Sequence, residues 1–591
     1  MVRTTALALV ALLPFSAGAA PALAGAQELD MSQFMPVEEI RPGMKGIGLS
    51  VFQGTTRDTF EVEILGVLEN VGPGRDLILG RAHSELLEKT GIVSGMSGSP
   101  VYVDGRLIGA AAYAWSFAIE PVVGITPIGE MLGMLERSGD CPELGLDGIS
   151  QENFRFALGG GAERALVSEI HPIQTPVALT GFTGSSRRTW QSCLSTYGFL
   201  GVEGGGRSPG AAPTALRPGD AMGIQMVRGD MTSTAIGTVT WVDGDRILGF
   251  GHPFLLAGPV SLPLSTAYIH AVLPSQVSSF KIGGPGKPVG AIRQDRQTGV
   301  MGVLGTNVSM LPVSVSVTPG RDGDTDQYHV EVMRSDILTA SLIGLVGYSS
   351  VEASQKAIGE STLGIRTTIR IGPDRTLESE ITVAVPSPPM AVAEQISRPI
   401  QKIIANPFEK VRIEGVDVHV HLLDRYRVAE VEDLRVDRAE VKPGEDLEVR
   451  VTLRPYREPK VVEATTVHIP ADTPAGPLDL VACASGDLWE MEWERAPLRF
   501  EPADLDQLID LLGSRRDTRR VYLQLFQHRS GRVVGGRELP RLPGSVLSVL
   551  DTGTRAGKIG LSAGAVVAES DIRTDWVVTG CRSITIQIVP R

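Results

Sequence analysis

Residues 91–100 read Gly91-Ile92-Val93-Ser94-Gly95-Met96-Ser97-Gly98-Ser99-Pro100, and the chain continues Val101-Tyr102-Val103-Asp104-Gly105-Arg106-Leu107-Ile108-Gly109-Ala110. Pro100–Val103 and Leu107–Tyr113 have the apolar and β-branched composition of strands, with Asp104-Gly105 as the hairpin turn between them. The preceding turn therefore presents a serine between strands. Gly95 lets the backbone curl so that the N–H groups of Gly95 and Ser97 point at one spot, an oxyanion hole. Gly98 removes a side chain that would block a substrate, and Pro100 ends the turn where the next strand starts. Glycine and serine favour turns everywhere, but six such positions in strand context set this one apart.

A nucleophilic serine needs a base, and at neutral pH histidine is the usual one. Of nine histidines, His419 and His421 alternate along an apolar strand, and His329, His468 and His528 lie in later modules. His252 stands in Leu248-Gly249-Phe250-Gly251-His252-Pro253-Phe254, at the end of a strand, with Gly before it and Pro after it.

Together these residues resemble a known family. Gly91–Ala110, preceded by Leu86-Leu87-Glu88-Lys89-Thr90, is similar to the peptidase domain of the sporulation stage IV B serine protease family. There a Gly-Met-Ser-Gly-Ser-Pro motif bears the nucleophile and a Gly-His segment bears the base. The resemblance covers about residues 36–136 and 218–320. It implies a chymotrypsin-like double β-barrel, with Ser97 as nucleophile, His252 as general base and the Gly95 N–H in the oxyanion hole. Two departures stand out. In the family the histidine half precedes the serine half, whereas here Ser97 comes first, as if the halves were permuted; a triad is defined by geometry and not by chain order. The family's acidic residue lies just ahead of the Leu-Leu-Glu-Lys-Thr segment, where this chain has His83-Ser84.

The orienting acid is therefore open. Asp245 or Asp243, one strand before His252, could reach its other nitrogen, although Asp243-Gly244-Asp245 is also a good hairpin turn. On a regular strand neither carboxylate shares a side with His252, so this requires a β-bulge at Gly249 or Gly251. Asp76, Asp104, His83 and a backbone carbonyl are the other choices.

Outward from the motif, the chain reads as mainly β. Thr59–Val67 alternates like a half-buried strand. The expected organisation is a signal peptide at 1–26, the serine half of the peptidase barrel at 27–136, a Gly/Ser-rich connecting insertion at 137–217 and the histidine half at 218–320. A β-rich module with a helix follows at 321–424, and a C-terminal β-sandwich-like module at 425–591. Met390–Ala405 is the best helix candidate, and an acidic-capped helix at Asp504–Leu512 interrupts the sandwich. The length, 591 residues at 42% hydrophobic and 21% charged, provides for several cores and excludes a disordered chain.

Arg3, the apolar run Ala6–Phe15 and a small-residue cleavage site at Ala22-Leu23-Ala24 or Ala24-Gly25-Ala26 make a secretory leader, its apolar stretch too short for a membrane anchor. The product is expected to be exported, periplasmic or secreted. The formal charge of −13, or −14 once the single Arg3 is removed with the leader, has no basic block and excludes a nucleic-acid partner. Four cysteines in an exported chain permit disulfides, with Cys141–Cys193 and Cys483–Cys581 favoured by proximity. No metal-ligand spacing occurs and no cofactor is expected. Two functional readings stand side by side. One is an exported serine endopeptidase acting on a protein or peptide through an acyl-enzyme on Ser97. The other is a catalytically inactive envelope scaffold that keeps the barrel and binds a partner through its C-terminal module. An esterase or transferase elbow fits less well, because Gly95-Met96-Ser97-Gly98-Ser99 lacks the last glycine and leads into a strand.

Overall fold

The computed structural model describes residues 29–116, 118–135, 170–205, 215–320, 323–354, 360–423, 425–539, 542–543, 545–546 and 559–590. The leader and Cys141 lie outside these residues. Six strands come first: β1 (Lys45–Gln53), β2 (Thr56–Gly72), β3 (Arg75–His83), β4 (Pro100–Val103), β5 (Arg106–Trp115) and β6 (Val122–Pro127), with the short helix α1 (Glu85–Thr90) between β3 and β4 and α2 (Ile128–Leu132) after β6. They pair in the order β1-β2-β3-β6-β5-β4, and β4 pairs back to β1, so the antiparallel sheet closes into a barrel. The alternation of β2 explains its filling: Phe60, Val62 and Ile64 point inward and meet Ile78, Val101, Ile108 and Ile125. Closure leaves no unpaired edge, which is what lets short strands persist.

The chain then forms β7 (Ile170–Pro172), β8 (Thr175–Thr180), α3 (Gly184–Thr196) and β9 (Phe199–Glu203). These elements lie within the expected connecting insertion 137–217; β7 extends the first sheet on β5 and β8 pairs with β11 of the second. Its Gly and Ser content hides structure supplied by neighbours rather than by local propensity.

A second set of six follows: β10 (Ala221–Gly229), β11 (Thr232–Asp243), β12 (Arg246–Gly249), β13 (Gly258–Leu273), β14 (Phe280–Arg296) and β15 (Gly299–Leu304). These pair in the order β10-β11-β12-β15-β14-β13, and β13 pairs back to β10. Strand for strand this is the connectivity of the first barrel. The fold is thus the expected double β-barrel, built from two separated segments.

Beyond β10 the second sheet runs on through β16 (Leu311–Pro319), β17 (Asp326–Val332), β18 (Ser361–Ile371), β19 (Arg375–Val385) and β20 (Ile413–Leu423), backed by α4 (Thr339–Ser354) and α5 (Pro388–Ile404). Helix α5 starts on prolines, where a missing N–H does no harm, and buries Val392, Ile396, Ile400 and Ile403 at helical spacing. The C-terminal part packs a four-stranded sheet on a six-stranded one as a β-sandwich. Val431, Val449 and Leu453 meet Leu480, Leu523 and Ile586 in its core. Cys483 and Cys581 face each other across adjacent strands and form a disulfide. The helix Leu505–Gly513 is capped by Asp504, whose carboxylate accepts the Gln507 N–H at 2.8 Å. Its apolar face joins the core of the second barrel's sheet rather than that of the sandwich, with Leu505, Leu508 and Leu512 in the same cluster as Leu377. Among the described residues no helix is long and apolar enough to cross a membrane.

Candidate active site

Ser97 lies in the connection between the third and fourth strands of its barrel, and His252 lies in the connection between the third and fourth strands of the other. The shared strand order therefore places both at equivalent points, on the seam where the barrels meet.

The serine turn is anchored from below. Ser84 caps α1 by accepting the Leu87 N–H at 3.1 Å, and Gly91, at φ 66°, turns the chain out of the helix. Val93 and Met96 are fully buried in the first barrel. Met96 N donates to Val93 O at 3.0 Å and Gly98 N to Ala111 O at 2.8 Å, fixing the turn on β5. Gly95 and Gly98 hold φ of 96° and 95°, a region open to glycine and strained for other residues. The N–H groups of Gly95 and Ser97 donate to no acceptor among the described residues, as an oxyanion hole requires.

From above, the second barrel grips the same turn. Thr238 N donates to Ser97 O at 2.8 Å, Thr238 Oγ1 to Gly95 O at 3.1 Å and Thr240 Oγ1 to Gly98 O at 2.8 Å. Ser94 forms a two-way bridge to the chain entering β14, with Ser94 N donating to Ser279 O at 2.8 Å and Lys281 N to Ser94 O at 3.1 Å. Gly98 has a different purpose from the one its sequence suggests. A Cβ there would lie 1.9 Å from Thr238 O and 2.5 Å from Phe250 N, so the absent side chain makes room for the second barrel's backbone rather than for a substrate.

Strand β12 stops at Gly249. Phe250 and Gly251 follow at φ of 66° and 69°, so strand alternation does not reach His252 and gives no parity relation to Asp243 or Asp245. A left-handed Phe is rare and marks a backbone held by its surroundings. Phe250 is fully buried; a Cβ on Gly251 would press Ala110 and Ala112 of β5 at 3.0 Å; and Thr126 Oγ1 of β6 donates to Gly251 O at 2.7 Å. His252 is thus carried by one barrel and seated on the other.

His252 is 3% exposed and Ser97 is not exposed at all. The His252 Nδ1 lies 2.8 Å from Pro253 O, a carbonyl that can only accept, so Nδ1 carries the proton and Nε2 the lone pair. Burial pulls the imidazole pKa down to about 4, although main-chain carbonyls of Pro253 and Ile173 oppose this, and the ring is neutral at physiological pH. Nε2 of His252 and Oγ of Ser97 are both buried without a hydrogen-bond partner among the described residues, so the two do not bond to each other in this structure. A hydroxyl lacking an acceptor and an imine nitrogen lacking a donor have complementary chemistry.

Asp243 pairs with Arg246 at 2.7 Å across the β11–β12 hairpin, and the Asp245 main-chain carbonyl accepts from Leu304 N at 2.7 Å. Asp76 accepts the Asn70 N–H at 2.9 Å, and Asp104 sits at φ 50° in the β4–β5 turn. The carboxylate nearest the matter in chemical terms is Asp295, at the end of β14. It is fully buried and accepts N–H groups from Phe254 at 2.8 Å, Leu255 at 2.7 Å and Ala257 at 3.2 Å, the loop that directly follows His252 and Pro253. Burial raises its pKa to about 6 against the pull of these N–H groups. Nothing in Arg293-Gln294-Asp295-Arg296 distinguishes it from a solvated strand end. The buried Lys281, in Phe280-Lys281-Ile282, gives no sequence signal either.

Residues 26–127 match the family model of the SpoIVB peptidase S55. The match runs through the whole Ser97 barrel and ends with β6, while the His252 barrel lies outside it. It supports a serine peptidase, and hence a protein substrate. No curated protein and no solved structure gives a significant match to the chain. Among the described residues no cluster of His, Cys, Asp and Glu could hold a metal ion.

Proposed function

We propose that the protein is an exported serine endopeptidase whose nucleophile and base come from different barrels. The observation that carries this reading is the pair of unpartnered buried groups, Ser97 Oγ and His252 Nε2, in equivalent connections on one seam. In the proposed reaction Ser97 Oγ bonds to the scissile carbonyl carbon while its proton passes to Nε2. The carbonyl oxygen takes the negative charge and is met by the Gly95 and Ser97 N–H groups. The imidazolium then protonates the leaving amine as the C–N bond breaks, leaving an acyl-enzyme. Water, deprotonated by the same nitrogen, releases the acid and restores Ser97.

In this scheme Pro253 O stands where a triad acid would be. A carbonyl fixes the tautomer but stabilises the imidazolium less than a carboxylate does, and Asp295 acts one step removed, by holding the loop that presents Pro253. Asp243 and Asp245 have no role in it. Because the seam is closed to solvent, a substrate must part the barrels locally, which favours narrow specificity. The test is an active-site fluorophosphonate applied to the folded, full-length chain. It should label Ser97, and Ser97→Ala and His252→Ala should abolish or sharply slow labelling. A folded wild-type protein that takes up no label would leave the inactive scaffold as the better reading.

A further inference from the structure

Two peptide planes decide whether an oxyanion hole exists here: Ser94–Gly95, which carries the Gly95 N–H, and Met96–Ser97, which carries the Ser97 N–H. A peptide is planar and its C=O points opposite its N–H, so whatever holds the carbonyl of each plane aims the N–H of the same plane. Both carbonyls are held, and both lead to one residue.

The Ser94 carbonyl accepts the main-chain N–H of Lys281 at 3.1 Å. The Met96 carbonyl accepts twice from Ser99, from N at 2.9 Å and from Oγ at 2.6 Å. Ser99 Oγ lies 3.1 Å from Ser50 Oγ of β1, and Ser50 Oγ accepts from Lys281 Nζ at 2.9 Å. Each hydroxyl has one hydrogen. Since Ser99 spends its own on Met96 O, the Ser50 hydrogen goes to Ser99, and Lys281 supplies the donor that Ser50 then lacks. The chain therefore has a single direction, from Lys281 through Ser50 and Ser99 to the Met96 carbonyl.

Lys281 is ill suited to a merely structural post. It is fully buried and makes no ion pair among the described residues; Asp58 acts on it only at longer range, and the Phe52 ring centroid is 5.7 Å from Nζ. Burial draws its pKa down to about 7. An apolar side chain of similar length would fill the space without the desolvation penalty of a buried amine. Its stem runs past Gly95, where an added Cβ would lie 3.1 Å from Lys281 Cδ.

We propose that Lys281 is the positioning residue of the oxyanion hole, its main chain aiming the Gly95 N–H and its amine, through Ser50 and Ser99, aiming the Ser97 N–H. This rests on the peptidase reading above and adds a residue that touches no substrate. The experiment measures fluorophosphonate labelling of Ser97 in the full chain, separating the reversible affinity from the maximal rate of phosphonylation, in Lys281→Met and Ser50→Ala. Lys281→Met keeps the main-chain bond and removes the amine; Ser50→Ala breaks the relay and leaves the amine. Loss of a whole oxyanion donor slows reaction by about 100- to 1,000-fold, so a donor that is only misaimed should slow the maximal rate by roughly 10- to 100-fold in both variants. Reversible affinity should change by less than about threefold, because the charged oxygen develops only in the transition state. A maximal rate within twofold of wild type in Ser50→Ala or in folded Lys281→Met overturns the assignment. So does a loss confined to affinity. If Lys281→Met does not fold, Ser50→Ala decides. Absence of labelling in the wild-type chain is a different failure, since it removes the peptidase reading and this inference with it.

Discussion

Replacing Gly98 with Ala tests whether the two barrels share one site. The backbone there has φ 95°, which costs an L-residue roughly 1–2 kcal/mol. The added Cβ would stand 1.9 Å from Thr238 O and 2.5 Å from Phe250 N, against an ordinary contact of at least 3.4 Å. These are backbone atoms, so no side chain can swing aside. The seam must open, or the left-handed segment carrying His252 must move, at about 1–3 kcal/mol more for overpacking. The expected destabilisation of the seam is roughly 2–5 kcal/mol. Gly105→Ala supplies the control: its φ is 77° and its Cβ would meet nothing within 4 Å, so it carries the backbone term alone. A chain of several domains does not unfold in one step, so native-state hydrogen exchange is the suitable assay, read at the Thr238 amide, which donates across the seam to Ser97 O. Gly98→Ala should speed its exchange well beyond Gly105→Ala and suppress fluorophosphonate labelling. Equal exchange and equal labelling in the two variants would refute the inter-barrel seam as the site.

Three further outcomes are expected. Burial disfavours the charged imidazole, so loss of labelling through His252 should wait until about pH 4, while a fall near 6 belongs to Asp295; in Asp295→Asn the remaining rate should stay level as pH falls through 6.5, and a midpoint near 6.5 there would mean a hydrated histidine. By the same sign the unfolded chain binds the His252 proton first, which lowers seam stability as pH falls from 6.5 towards 4, whereas Asp295, raised to about 6, binds its proton more readily when folded and opposes that fall; the His252 decline should stand alone in Asp295→Asn, as native-state exchange of the Thr238 amide against pH would register. Asp295→Asn has one acceptor oxygen for three N–H donors and should lose at least one charge-assisted bond, about 1.5–3 kcal/mol. Carried wholly into the His252 loop this slows labelling by roughly 10- to 100-fold, and an unchanged rate would detach Asp295 from the site. Breaking Cys483–Cys581 frees a loop of 98 residues and should destabilise the sandwich by about 2–5 kcal/mol, measured by denaturation, with Ser97 labelling unaltered.

What the sequence determined by itself is local. The Gly95–Pro100 turn was legible because its residues are fixed by backbone geometry: two positive φ values, a buried Met96 and a proline opening β4 all lie within six positions. The strands of the first barrel were legible where alternation is regular, as in Phe60, Val62 and Ile64, and helix α5 where apolar residues fall at helical spacing. His252 could be singled out by its glycine and proline neighbours. What accepts its proton could not, because Pro253 O is a backbone group with no sequence signature and Asp295 acts from β14, on the far side of β13 in the chain. Nor could the reason for Gly98, since Thr238 and Phe250 reach it only when two barrels dock. Lys281 shows the limit most plainly. In a strand it reads as a solvated lysine, and only closure of both barrels takes it out of water and sets its amine on Ser50. Short-range sterics are written in adjacent residues. Burial and long-range hydrogen bonds belong to the packed whole, and these are what join Ser97, His252, Asp295 and Lys281 on one seam.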